Sequence, residues 1–466
     1  MNHHDVLPDL FAAPGAPEYE EATEVFNLAA PARPDVAVTA RSVAEVRAAV
    51  RAADERSLPV RVHTTGHASA SRPRVADGAL IRTRLEGGVE VDARRRTARV
   101  PAGTTWGEVV AAAAPHGLAA PHGSAAHVGV VGYLLGGGVS FYGRHTGLAA
   151  NSVRAVELVT ADGALVRADE ESDAELLWAL RGGGGGFGVV TAVEIDLFPV
   201  AGVVTGGAYW SAAHARPLLR AWRDWAGNAP DRATTSFRVM NLPPVPGVPP
   251  ALAAGPVVCV DGAVLAARPD EVPEAQRQAE ALLGPLRDLA APLLDTWSLT
   301  DAAGVLDAHM DPAEPVPFVG DHFLLSHLGD DAVDAFLGAV GEGSGSPLVV
   351  ATLRQLGGAF AEADPQGGAL SRVDAAYAYM GSGPPFGPVT VGDLERHCAV
   401  VRAALAPWNT GATVPSLVEG ATSPQRHLDP AAAAAVDRVR RRIDPGGRFA
   451  GDFAPGVDRE PVYPAG

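Results

Sequence analysis

The stretch GSAAHVGVVGYLLGGGVSFYGRHTG, residues 123–147, carries glycine at 123, 129, 132, 136, 137, 138, 143 and 147. Such density is costly in backbone entropy, so it implies positive φ angles or a ligand lying close against the main chain. A second run, RGGGGGFG at 181–188, lies in the same region. Gly183, Gly185 and Gly188 satisfy the letters of G-x-G-x-x-G, yet that fingerprint needs a strand before it and a helix after it, and here the strand-like 189–198 follows. Two runs point instead to two backbone walls around one large flat ligand with a diphosphate, whose oxygens can rest on N–H nests without any lysine. A dinucleotide fits this better than a lone nucleotide.

Outward from these runs the chain alternates at the pace of α/β units. Strands are expected at 35–39, 58–62, 79–82, 88–92 and 97–100, with a helix at 43–56 begun by Ser42 and Glu45 and another at 106–114 capped by Thr105. Residues 151–165 read as a hairpin and 175–180 as a short helix. After Pro199 long Ala/Leu helices such as 273–294 alternate with strands such as 255–260 and 348–353, and proline clusters at 243–250 and 312–317 mark loops. The expected organisation is a first domain at 1–200, an α+β domain at 201–405 and a segment, 406–466, whose Ala-rich helix at 430–442 returns to the first domain.

Composition narrows the chemistry. The 466 residues include 54 acidic and 37 basic side chains for a net charge of −17, and every basic residue is arginine. Nucleic acid and anionic membrane surfaces are therefore excluded as partners, and lysine Schiff-base, Walker-type and kinase chemistries are impossible. Cys259 and Cys398 show no metal or redox spacing, and the 14 histidines form no ligand motif, so no metal is expected. No apolar run approaches the roughly 18 residues of a membrane span, and the start MNHHD lacks the order of a secretory signal, which gives a cytoplasmic expectation.

Four segments together carry a resemblance: RVHTTGHASA at 61–70, HGSAAHVGVVGYLLGGG at 122–138, RHTGLAANSV at 144–153 and LLWALRGGGGGFGVVT at 176–191. They resemble the berberine-bridge-enzyme-like branch of the vanillyl-alcohol-oxidase flavoproteins, and LRQLGGAF at 353–360 looks like a segment of that family's substrate domain. The resemblance implies an α+β fold: a PCMH-type FAD-binding domain of two α/β subdomains, and an α+β substrate domain on a large antiparallel sheet. FAD is the implied cofactor, held by Thr64, Thr65, Gly66, His67, Ala68 and Ser69, by Gly123, Ser124, His127, Val128 and Gly129, by Gly132, Tyr133, Gly137 and Gly138, and by Gly188 and Val190.

In that family a histidine in a G-G-H-S-like loop bonds the flavin's C8 methyl, and His67 in TGHAS matches it. A neutral imidazole must reach the ring edge, and Gly66 permits the approach. Many members add a cysteine tether in a G-S-C-P-T-V-G-like stretch; Ala125 stands at the thiol position, so a single covalent link is expected. His127 replaces a usual threonine, and Gly186 a frequent asparagine.

Removing a hydride from a carbon beside oxygen or nitrogen also needs a base for the attached proton, commonly a tyrosine or glutamate in these enzymes. Tyr377 and Tyr379 alternate in DAAYAYM and share one strand face, with Tyr142 beside the first glycine run as a rival. Where the family often has a Tyr-x-Asn-Phe-like strand, TVPSL stands at 413–417. The resulting expectation is an FAD oxidase with one covalent flavin, oxidising a bulky small molecule of bacterial secondary metabolism with O2 as acceptor. The alternatives are a redox-neutral flavin-containing cyclase and a flavin-binding scaffold without activity. Oligomeric state is left open.

Overall fold

The computed structural model describes residues 10–71, 76–420, 425–449 and 451. Parts of the expected C-terminal segment, residues 421–424, 450 and 452–466, lie outside the described residues. The α+β architecture is as expected, with four sheets among the described residues.

The first is a parallel sheet in which Ala79–Thr83 runs between Val36–Ala40 and Val60–His63. The helix Val43–Glu55 covers it by burying Val46, Ala49, Val50 and Ala53, a stripe set by the 3.6-residue period. Its start follows from sequence: Ser42 accepts from the Glu45 N–H at 3.2 Å, and Glu45 accepts from the Arg41 N–H. A second sheet is antiparallel, running Glu90–Asp92, Thr97–Pro101, Val189–Asp196, Val153–Val159, Leu165–Ala168. Phe198–Pro199 pairs with Leu118–Ala119 in a small third sheet.

The largest sheet has eight strands. Its path runs Leu294–Asp295, Gly202–Ser211, Val257–Ala266, Ala233–Met240, Val350–Gln355, Tyr377–Gly383 and Val319–Leu325, and Ser298–Thr300 adds to Gly202–Ser211. One face is covered by four helices, which bury Leu219 and Trp222, Leu282 and Leu286, Val333 and Phe336, and Leu394 and Val401 against Trp210, Phe237, Phe323 and Leu353. The opposite face contributes Leu324 and Ala378 to a core shared with Tyr133, Leu134 and Leu135 of the glycine-rich region. The two parts of the molecule therefore meet across this face.

Three sequence readings shift. The strands expected at 255–260 and 348–353 are Val257–Ala266 and Val350–Gln355, and the helix expected to reach 294 ends at Leu289, where the chain turns into the edge strand at Leu294. TVPSL is no strand, because Pro415 cannot donate to a ladder and opens the turn Pro415–Leu417. The helix Pro430–Ile443 lies on the first part of the molecule: Arg442 pairs with Asp173, and Arg440 reaches the Gly185 carbonyl at 3.0 Å.

Candidate active site

The loop after Val60–His63 turns into a short 3-10 segment, His67–Ser71. Gly66 has φ +71°, and a Cβ there would lie 2.6 Å from Val25 Cα, so only glycine lets the loop pass this close to the N-terminal segment. That segment is stitched on: the Phe26 N–H donates to the Thr65 carbonyl at 2.9 Å. Thr65 Oγ1 lies 2.8 Å from His67 Nδ1, while Thr64 Oγ1 lies 2.9 Å from Thr83 Oγ1. The His67 ring stacks on Phe26 at 4.0 Å, and His127 lies 4.5 Å from Phe26 and 5.0 Å from His67. Burial, and then the neighbouring His127, pull the His67 imidazole down to about 3, so it is neutral, and its Nε2 is buried without a hydrogen-bond partner. Ala68 accepts from the Ser71 hydroxyl through its carbonyl, and Ser69 Oγ reaches the Asn27 carbonyl at 3.4 Å.

The 122–138 stretch closes around this loop. Gly129 sits where a Cβ would touch Thr64 Cγ2 at 3.2 Å, and the Val128 carbonyl accepts from Trp106 N–H. Gly123 lies against the Tyr133 ring, whose hydroxyl is buried and unpartnered. Gly132 faces open space within 4 Å, and Gly137 and Gly138 turn the chain with φ of +93° and +75°. The Gly184 N–H donates to the Leu135 carbonyl at 3.0 Å, so the two glycine runs adjoin. The second run is less of a wall than expected. Arg440 takes its carbonyls and packs on Phe187 at 5.1 Å. Gly188 packs on the Val159 carbonyl, and Val190 is buried in the core.

Facing these elements, the large sheet presents charge. Ser124 Oγ donates to Asp311 Oδ2 at 2.7 Å, joining the first glycine run to the loop before Val319–Leu325. Asp261, fully buried, takes His309 Nδ1 at 2.7 Å and Arg238 Nη1 at 3.2 Å. Arg354 packs on the Phe141 ring at 3.8 Å and donates through Nε to Ser236 at 2.6 Å. Glu419 is pushed up to about 7 by burial and by the Asp311 charge. None of these carboxylates and arginines was singled out in the sequence, because they lie on separate strands and loops that only the sheet register brings together.

Residues 34–169 match the family described as the FAD binding domain. The likeness to an FAD-binding domain is therefore that of residues 34–169. In sequence it is 30% identical over 226 residues to the uncharacterized FAD-linked oxidoreductase YgaK of Bacillus subtilis, covering 47% of this chain and 50% of the other. The chain spans about half the length of the curated relatives it matches. Among solved structures, 6-hydroxy-D-nicotine oxidase from Arthrobacter nicotinovorans superposes with a TM-score of 0.78 at 21% identity, over 94% of this chain and 96% of the other. Glucooligosaccharide oxidase from Acremonium strictum, described with 6-S-cysteinyl, 8α-N1-histidyl FAD, gives 0.75 at 18% identity over 96% and 97%. These likenesses show the fold, which a BBE-like protein of Physcomitrella patens shares with a TM-score of 0.77 at 19% identity over 97% of each chain.

The residues around the FAD-binding domain fit that cofactor: a neutral, unpartnered imidazole nitrogen at His67, an open position beside Gly132 and an unpartnered Tyr133 hydroxyl. The tyrosines expected as bases are placed elsewhere. Tyr377 and Tyr379 do share a face, as period 2 requires, but it is the face the helices cover. Tyr379 stacks on Phe323 at 4.6 Å with its hydroxyl buried and unpartnered, and Tyr377 tilts against Trp222 at 5.6 Å. Alternation instead turns Ala378 toward the FAD-binding domain. Tyr142 is buried between His122 and Phe198, edge-on at 5.3 Å and 5.1 Å, with its hydroxyl unpartnered. Burial raises all three phenols, the wrong direction for a base.

Proposed function

We propose that this chain is an FAD-linked oxidase whose flavin is held by one covalent bond, to His67, and which oxidises a bulky small molecule between the FAD-binding domain and the large sheet, with O2 as acceptor. The observation that carries the reading is the His67 imidazole: neutral, bare at Nε2, stacked on Phe26 and set where the FAD-binding domain meets the sheet. Bound FAD supplies a two-electron acceptor for hydride. The chain's own residues do the rest. Thr65 and Phe26 fix the imidazole's orientation, and burial with the neighbouring His127 keeps it unprotonated, the form a nitrogen needs to make a carbon bond.

A second bond has no partner group, because Ala125 brings no thiol. Substrate would be received by a wall that is polar and charged, with Asp311, His309 and Arg354 on the sheet side and His127 and Ser124 on the flavin side. Anaerobic mixing with a panel of secondary alcohols, aldoses and cyclic amines tests the reading. Bleaching of the flavin by one of them is the expected outcome; a compound converted with the flavin left oxidised would replace oxidation by a redox-neutral reaction.

A further inference from the structure

The segment His309-Met310-Asp311 stands out on the sheet side. Met310 has φ +52°, a left-handed backbone that a non-glycine residue adopts only where its surroundings enforce it, and the Tyr209 hydroxyl reaches its sulfur at 2.8 Å. This kink sends both neighbours inward. Asp311 meets Ser124 of the flavin-side loop at 2.7 Å, and His309 meets Asp261 at 2.7 Å. Asp261 is fixed on the central strand Val257–Ala266, and Arg238 from the neighbouring strand bonds both its carboxylate and the His309 carbonyl, the latter at 2.5 Å.

Asp261 takes Nδ1, so Nε2 is the free edge of a ring that lies edge-on to Phe141, a residue of the FAD-binding domain, at 5.7 Å. His309 is buried at 6% exposure, yet Nε2 makes no hydrogen bond with the described residues and is not sealed off. A carboxylate on Nδ1 holds the proton there and leaves Nε2 as an acceptor, the arrangement by which a buried aspartate orients a general-base histidine.

We propose that His309, oriented by Asp261, accepts the proton from the substrate's reacting hydroxyl or amine. The inference rests on the oxidase reading. The step balances: the carbon's hydrogen would leave as hydride, with both bonding electrons, to the two-electron acceptor that bound FAD would supply, the O–H or N–H proton would move to Nε2, and the electron pair freed from that bond would form the C=O or C=N bond. His309 is the group that meets the substrate, and Asp261 and Arg238 are positioning residues.

Two readouts test it on the FAD-loaded protein. Labelling with 15N-histidine, with the His309 signal assigned by its loss in His309→Gln, should show a proton on Nδ1 and a bare Nε2. In Asp261→Asn the side-chain amide can donate to Nδ1, so the proton should move to Nε2 with flavin content unchanged. A protonated Nε2 in the neutral wild-type ring, or a tautomer indifferent to Asp261→Asn, would overturn the proposal. In stopped-flow reduction by whichever panel compound bleaches the wild type, His309→Gln should slow the reduction on the order of 10²–10⁴-fold with ligand affinity nearly unchanged. An unchanged rate in His309→Gln, with the loss appearing in Glu419→Gln, would assign the proton to the glutamate and also overturn it. If no compound bleaches the wild type, the oxidase reading fails, while the tautomer measurement still decides how His309 is oriented. Should Asp261→Asn not fold, the wild-type tautomer and the His309→Gln rate decide alone.

Discussion

His67 and Phe26 stack with ring centroids 4.0 Å apart and planes 12° from parallel, so the imidazole of the flavin-side loop is braced by the N-terminal segment. That segment is in turn locked to the sheet side, since Asn27 is fully buried and exchanges two hydrogen bonds with the Phe318 backbone at 3.0 Å and 3.1 Å. The imidazole's position thus depends on both halves of the molecule.

Phe26→Ala should remove the brace and much of the burial that lowers His67, so its proton affinity moves back toward the ordinary 6.5. Flavin incorporation should become slower and incomplete at neutral pH. The ratio of flavin to protein absorbance after purification and reloading measures this, and a stoichiometric, equally fast loading would contradict it.

Ala125→Cys should bring a thiol into the 122–129 loop, which already reaches His67 through His127. A second covalent link is the expected outcome, read in a digest of the variant as flavin that stays on the peptide spanning the substituted position. If mass analysis finds none after prolonged oxidation, the alignment of residues 123–129 with the flavin ring is wrong.

Tyr379→Phe deletes a buried hydroxyl that has no hydrogen-bond partner while keeping the stack on Phe323. Losing an unsatisfied polar group is close to neutral or mildly stabilising, within about 1–2 kcal/mol. Its melting temperature should hold or rise, and flavin reduction should keep its rate. A large drop in that rate would restore the phenol to the chemistry.

Much of this could be read in the sequence, and the failures have one cause. The flavin-side loops were legible because their residues are contiguous: TTGHAS and the 123–138 run announce close backbone approach in their own letters. The helix at 43–55 was legible through its period and its Ser42 cap. The sheet-side wall was not, since Asp261, Arg238 and Arg354 become neighbours only through long-range strand pairing, and His309 and Glu419 come from distant loops, beside Asp261 and Asp311 respectively. Period 2 placed Tyr377 and Tyr379 on a common face but could not say which face the helices cover. Phe26 and Asn27 carried no local signal at all.

Acid should destabilise the protein through its buried imidazoles. His322 takes the Val414 N–H on Nε2 at 3.0 Å and donates from Nδ1 to the Tyr379 carbonyl at 2.7 Å, so it has no room for a second proton, and burial pulls it down to about 4. With the folded value below the unfolded 6.5, the unfolded chain binds more protons between them. Stability is therefore full above about pH 6.5 and falls as pH drops through 4. Urea midpoints from pH 7.5 to 4 should decline, and in His322→Gln the decline should be shallower by about one proton. An identical slope in the variant would contradict this.

The claim that His67 bonds the flavin is tested most directly by precipitating the protein with acid and measuring the yellow chromophore in pellet and supernatant. In the wild type the colour should stay with the denatured chain, because a covalent bond outlasts the hydrogen bonds and nests that unfolding destroys. In His67→Ala all of it should pass to the supernatant, or the protein should emerge without flavin. Colour released from the wild type, or retained by His67→Ala, would contradict the account.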